Sequence, residues 1–73
     1  MKKMMAGYLV FRNGKAKMQG SIRCEMDNES KIAQEETSNW VKEFVRVRWN
    51  VPDTDEIRVV GFMHAPIQHA KAL

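Results

Sequence analysis

The stretch LVFRNGKAKM, residues 9–18, decides the fold predicted from this sequence. Asn13-Gly14 lies between two runs of strand-forming residues. A two-residue type I′ turn requires positive φ at both central positions, which Asn-Gly tolerates best. Such a turn sets the register of its flanking strands and places Arg12 opposite Lys15. The pairs predicted further from the turn are Phe11 with Ala16, Leu9 with Met18, Gly7 with Gly20, and Met5 with Ile22.

The second arm of this hairpin, Lys15 to Met26, alternates in polarity. Every second position is small or apolar, and the intervening positions are charged or polar. Alternation with a period of two is typical of a strand with one buried face. The apolar set is Ala16, Met18, Gly20, Ile22, Cys24 and Met26.

A helix is predicted after the hairpin. Residues 27–30 supply candidate N-cap oxygens, and Asn50 with Pro52 is a plausible helix end. Residues 45–51 also alternate as an edge strand would. Nothing at Glu43-Phe44 turns the chain out of a helix, so the helix is favoured. An apolar stripe at helical spacing supports it: Ala33, Thr37, Trp40, Phe44 and Val47.

Glu56 to His64, rich in β-branched residues, is predicted to be a third strand. The helix then joins strands two and three as a right-handed crossover, and strand order 2-1-3 makes neighbouring strands antiparallel. The predicted fold is α+β with element order β-β-α-β and the helix on one sheet face; β-β-α-β-β is the alternative. Residues 1–4 and 66–73 are expected to be flexible. The predicted core is Met5, Leu9, Phe11, Met18, Ile22, Trp40, Phe44, Ile57 and Val59.

Size and composition limit the class of protein. A chain of 73 residues with 44% hydrophobic and 29% charged residues suits one small globular domain. Cys24 is its only cysteine, which rules out an intrachain disulfide and a multi-cysteine metal site. A reducing, cytoplasmic compartment is expected. The apolar run Met4–Phe11 is far shorter than the ~20 residues that span a bilayer, so no membrane contact is expected.

Charge is segregated along the sequence. Residues 1–24 carry six basic side chains and no acidic one, whereas residues 25–56 hold all nine acids and four bases. A basic hairpin attracts phosphate backbones or acidic protein surfaces. The chain's own acidic helix, or solvent, would neutralise it equally well. Nucleic-acid binding is therefore the alternative function, and the residues that would carry it are Arg12, Lys15, Lys17, Arg23 and Arg58.

The sheet face turned away from the helix provides the leading hypothesis. The predicted register places four apolar residues on this face: Tyr8, Val10, Val60 and Phe62. A single-layer sheet does not leave such a patch bare comfortably, so we expect a protein interface, formed with a second copy or another protein. Tyr8 and Phe62 would also suit base stacking, although no RNA-recognition, helix-turn-helix or zinc-finger motif accompanies them.

Catalytic signals are weak. Cys24 with His64 or His69 would be a possible thiolate–imidazole pair, but alternation turns Cys24 toward the core, where a thiol is inert. The histidines have no third ligand at metal spacing, and no glycine-rich phosphate loop is present. Trp40 is assigned to the core, whereas Trp49 suits either a core cap or an exposed contact. We therefore expect a non-enzymatic binding module with no cofactor and no small-molecule substrate.

Overall fold

A computed structural model describes residues 1–65. Its elements are strand β1 (Lys2–Arg12), strand β2 (Lys15–Met26), helix α1 (Lys31–Arg48) and strand β3 (Glu56–His64). The strands form one antiparallel sheet in the order β2-β1-β3 with the helix on one face. The predicted α+β fold and strand order are confirmed. The part of the chain that the structure describes contains no fourth strand, so it follows the β-β-α-β pattern.

The Asn13-Gly14 turn forms as predicted, with φ values of 53° and 78°. The two pairs next to the turn, Arg12 with Lys15 and Phe11 with Ala16, are also confirmed. Beyond them the predicted register is wrong. A β-bulge leaves Lys17 without a partner in β1, so that Val10 pairs with Met18. The outer pairs shift by one residue: Leu9 with Gln19, Gly7 with Ser21, and Met5 with Arg23.

A second irregularity occurs between β1 and β3. Gly7 pairs with Gly61 and Tyr8 with Val59, which leaves Val60 as an extra residue. A β-carbon added to Gly7 would lie 3.2 Å from Val60 Cγ2, so the Val60 side chain lies over Gly7. This bulge turns Val60 to the sheet face that the helix leaves uncovered.

Because the hairpin register is shifted, the sheet buries the opposite side of β1 from the one predicted. Met4, Ala6, Tyr8 and Val10 face the helix and are at most 6% exposed. The predicted core positions Met5, Leu9 and Phe11 lie on the other face, which corrects that part of the core. The remaining predicted sheet positions are confirmed, since Ile57 is buried and three others pack against the core: Met18, Ile22 and Val59.

Helix α1 begins and ends at the predicted signals. The Ser30 hydroxyl accepts a hydrogen bond from the Ala33 amide at 3.2 Å, and Asn50 adopts a left-handed conformation with φ of 54°. The helix reaches Arg48, so the alternative reading of residues 45–51 as a strand is wrong. Arg46 and Arg48 lie in its last turn, where the helix dipole favours positive charge.

The helix buries a different side from the predicted stripe. Val41 and Val45 are its buried residues, whereas Trp40 is 49% and Phe44 42% exposed. The assignment of these two aromatic residues to the core is therefore wrong. They lie at the edge of the helix–sheet contact because the residues at positions 41 and 45 occupy its centre.

The chain start is also more regular than expected. β1 begins at Lys2, and Met4 is 2% exposed between Cys24 and His64, so residues 2–4 belong to the sheet. The expected flexibility of residues 66–73 lies outside the described residues.

Candidate interaction surfaces

The sheet face opposite the helix, called here the open face, is largely apolar. Its large apolar residues are Met5, Leu9, Phe11, Val60 and Met63. Val60 and Met63 are each 63% exposed. Across the middle of this face the three strands contribute only small residues: Ser21, Gly7 and Gly61. The result is a shallow apolar groove with Met5 and Met63 on one side and Val60 on the other.

The residues predicted to form this face are only partly there. Val60 is on the open face as predicted. Tyr8 and Val10 are 6% and 1% exposed beneath the helix, and Phe62 packs against the same core. These three placements are wrong, because the bulges in β2 and β3 change which side of each strand is buried.

Charged residues flank the open face. The Arg58 guanidinium lies 4.8 Å from the centre of the Phe11 ring and forms a 2.8 Å ion pair with Glu56. The hydrogen bond from Arg58 lowers the pKa of Glu56. Arg23 pairs with Met5, and Lys3 lies opposite Glu25. The rim therefore carries both signs of charge, with a positive excess.

A second apolar surface lies along the helix. We call it the aromatic flank and define it as Trp40, Phe44 and Val47. The Trp40 and Phe44 rings stack with centroids 5.3 Å apart, and Val47 is 73% exposed. Trp40 borders a groove against Arg23 to Glu25, so the aromatic flank faces β2. The opposite side of the helix, facing β3, is polar, with Gln34 and Ser38 above Val59 to Phe62.

Trp49 continues this surface past the end of the helix. Its indole N–H donates to the Tyr8 hydroxyl at 3.1 Å, and the Arg48 guanidinium lies 4.7 Å from its ring. The indole is 48% exposed. It therefore covers Tyr8, as a core cap would, and also offers an exposed contact beside two arginines, so both interpretations of Trp49 describe part of its position.

The basic residues predicted to bind nucleic acid are divided by the fold. Asp55, which is 4% exposed, accepts two hydrogen bonds of 3.1 Å from Arg12 and has the Lys17 ammonium at 3.7 Å. The hydrogen bond from Arg12 is the main cause of a lowered Asp55 pKa. Arg58 is paired with Glu56. Lys15 and Arg23 are exposed at opposite ends of β2.

Chemically reactive groups are few. Cys24 is 8% exposed, as alternation predicts, and burial raises the pKa of its thiol. The His64 Nε2 atom lies 3.5 Å from Glu29 rather than beside Cys24 in a reactive pair. His69 lies outside residues 1–65, and those residues contain no cluster of three or more metal-ligating side chains. The Cys24 environment does not favour a thiolate nucleophile.

Comparison with family models, curated proteins and solved structures finds no match for this chain. Across residues 1–65, no helix has the length and apolar content needed to cross a membrane. What defines the molecule is its fold: a small α+β domain with one apolar sheet face uncovered and a second apolar surface along its helix.

Sequence reasoning missed the aromatic flank and most of the open face. The spacing of Trp40, Phe44 and Val47 is the spacing of a buried stripe, so periodicity alone favoured the core. One signal pointed the other way. Val41 and Val45 form a second apolar pair at i and i+4, and the short side chain of valine lets a helix approach a sheet closely.

Proposed function

We propose that this protein is a non-enzymatic interaction module that docks a protein partner through the open face of its sheet. The supporting observation is the groove over Ser21, Gly7 and Gly61, with apolar walls and a charged rim. A concave apolar centre within a polar rim is the usual arrangement of a protein-binding surface. A cytoplasmic location belongs to this proposal and is supported by the lone buried thiol.

The groove indicates the chemistry of the partner. Its width is set by residues without large side chains, so it accepts an apolar side chain projecting from the partner. Removing apolar area from water contributes about 25 cal/mol per Å². The rim has Lys3, Arg23 and Arg58 against Glu25 and Glu56, and this positive excess favours an apolar protrusion surrounded by acidic residues.

Site-specific photo-crosslinking in cells that express the protein tests this proposal. A photo-reactive residue placed at Met63, on the groove wall, should capture a discrete protein. The same residue at Asn39, on the polar side of the helix, should not. Gly61→Phe should abolish capture, because a β-carbon at Gly61 meets no atom within 4 Å and a larger side chain can occupy the groove without disrupting the sheet.

The captured protein is then purified and its affinity for the wild type and Gly61→Phe is compared. Loss of about tenfold or more in affinity would support docking in the groove. Equal affinity, equal capture at Met63 and Asn39, or capture of nucleic acid or only a second copy would overturn the proposal.

Nucleic-acid binding remains the second candidate, and one observation favours it: Lys15 and Arg23 are exposed on the same strand without an ion-pair partner among the described contacts. Arg12 and Lys17 would have to leave Asp55 to reach phosphates. The open face also lacks the predicted aromatic pair, because Tyr8 lies in the core. Electrostatic contact without base stacking is therefore the form that this alternative takes.

A further inference from the structure

Strand β2 is an edge of the sheet, and within the described chain its outer side has no neighbouring strand. An edge strand presents unpaired N–H and C=O groups that can template another strand. Above this edge the helix side is incompletely covered, since Ile22 is half-buried and Gly20 is exposed. The aromatic flank borders the same uncovered strip. An unpaired edge and an exposed aromatic surface therefore adjoin one another.

We propose that two copies of this chain associate through β2, which pairs antiparallel with β2 of the second copy. A two-fold axis perpendicular to the sheet then creates a six-stranded sheet with both helices on the same side. The aromatic flanks face each other above the new strand pair. This proposal uses a different surface from the open face and does not depend on docking there.

The dimensions of the sheet favour this occupant. Helix α1 lies over β1 and touches β2 on one side and β3 on the other. In the paired sheet the two β1 strands would be three strand spacings apart, which is about 14 Å. Packed helices are usually about 8–10 Å apart. The aromatic flanks project into this additional space of about 4–6 Å, and large rings are the side chains that fill such a gap.

The positions along the helix also match. Trp40 lies beside Arg23 to Glu25, whereas Trp49 is held by Tyr8 above Gly20, so the helix runs antiparallel to β2. Phe44 and Val47 therefore lie level with the middle of β2. A two-fold axis near Ser21 would bring these residues toward their own copies, and would place Gly20 opposite Ile22 beneath them.

Charge favours an antiparallel partner of the same sequence. β2 begins with Lys15 and Lys17 and ends with Glu25, followed by Asp27. Antiparallel self-pairing places the basic start of one strand beside the acidic end of the other. Opposite charges across neighbouring strands stabilise their pairing, whereas parallel self-pairing would place like charges together.

The exposed area is consistent with an interface. Half-exposed aromatic side chains of this size offer about 100 Å² each. Trp40, Phe44 and Trp49 from two copies would supply roughly half of the ~1,200 Å² at which specific interfaces begin. Val47, Ile22 and the paired strand edges supply further area. The β3 edge offers no equivalent, since the helix side above it is polar.

Molecular mass as a function of concentration, measured by light scattering and sedimentation, tests the proposal. The wild type should reach twice its 8.5 kDa chain mass. Val47→Glu should raise the dimer dissociation constant at least about tenfold, because it buries a charge in the apolar contact. Asn39→Glu adds the same charge on the polar side of the helix and should leave the constant unchanged. Val47 is 73% exposed, so its substitution should preserve the fold.

Cysteine crosslinking identifies the surface used. Under mild oxidation Ser21→Cys should give a disulfide-linked dimer, since residues directly opposite across antiparallel strands have Cα atoms about 4.5–5.5 Å apart, within disulfide range. Met63→Cys on the open face should not crosslink, and neither should the wild type with its buried Cys24.

A monomeric wild type at all concentrations would overturn the proposal. So would a dimer that Val47→Glu leaves intact, or one that crosslinks through Met63→Cys and not through Ser21→Cys. The last result would indicate self-association through the open face. None of these outcomes decides whether the open face captures a partner, because that experiment reads photo-crosslinking at Met63 and its loss in Gly61→Phe.

Discussion

Asp55 is the residue that fastens the hairpin to the start of β3. Its carboxylate is enclosed, and it receives Arg12 from β1 and Lys17 from the bulge in β2. A buried carboxylate requires such partners, because an unpaired charge out of water is strongly destabilising. One acidic side chain thereby neutralises two of the basic residues that make the hairpin look like a phosphate-binding surface in the sequence.

This arrangement predicts a loss of stability at acidic pH. The pKa of Asp55 is lower in the folded state than in the unfolded state. Its stabilising contribution is therefore complete above the unfolded pKa of about 3.9 and is lost as pH falls through the lower, folded value. Between pH 7 and pH 2 the melting temperature of the wild type should fall more than that of Asp55→Asn.

Asp53→Asn is the control, since the Asp53 side chain is fully exposed. Its acid-side loss should match the wild type. If Asp55→Asn loses stability with acid as steeply as the wild type, Asp55 is not the group responsible.

The contact between Gly20 and Tyr8 predicts a difference between two glycines. A β-carbon at Gly20 would lie 2.6 Å from the Tyr8 hydroxyl, whereas a β-carbon at Gly61 would meet nothing within 4 Å. The Tyr8 ring cannot move freely because its hydroxyl accepts a hydrogen bond from Trp49. Gly20→Ala should lower the free energy of unfolding by about 1–3 kcal/mol, and Gly61→Ala by less than about 0.5 kcal/mol. Urea titration measures both, and equal costs would contradict the crowding at Gly20.

At the scale of elements, the bulges determine which side of the sheet is buried. A bulge adds one residue to one strand, and side chains beyond it keep their own alternation while their partners shift by one position. The extra residue in β2, Lys17, lies on the helix side with Asp55, next to Met18. Consequently Tyr8 and Val10 enter the core, and Leu9 and Phe11 face outward.

This face assignment predicts opposite outcomes for adjacent substitutions in β1. Val10→Asp places a carboxylate in a site that is 1% exposed and should cost at least about 4 kcal/mol, enough to unfold a domain of this size. Leu9→Asp lies on the open face and should leave a cooperative unfolding transition. Circular dichroism during thermal unfolding distinguishes the two. An unfolded Leu9→Asp and a folded Val10→Asp would restore the regular register of the two-residue turn.

At the scale of the whole molecule, the fold brings acidic residues of the second half onto the basic first half. Arg12 and Lys17 meet Asp55, and Lys2 lies 3.6 Å from Glu29. The net charge of +3 is thus less available to a polyanion than the excess of the hairpin suggests. The two apolar surfaces point in different directions, so self-association through β2 would leave the open faces accessible on the side opposite the helices.

The charge arrangement predicts the behaviour on a polyanion column. Asp55→Asn should elute at distinctly higher salt than the wild type, because it frees Arg12 and Lys17 for phosphate-like groups. Asp53→Asn makes the same change in net charge and should shift elution less, since only Arg46 approaches that residue, at 3.8 Å. Equal shifts would mean that the column senses net charge rather than the Asp55 cluster.

The elements of this protein follow from local sequence. Asn13-Gly14 determines the turn, Ser30 and Asn50 determine the helix ends, and Glu56–His64 forms the third strand, because backbone conformation and capping depend on residues close in the chain. The burial of Cys24 was also predictable from alternation. Only the tertiary structure decided which face of β1 is buried and which side of the helix meets the sheet. Those choices depend on bulges and on contacts such as Lys17 with Asp55, whose energies arise between residues far apart in sequence.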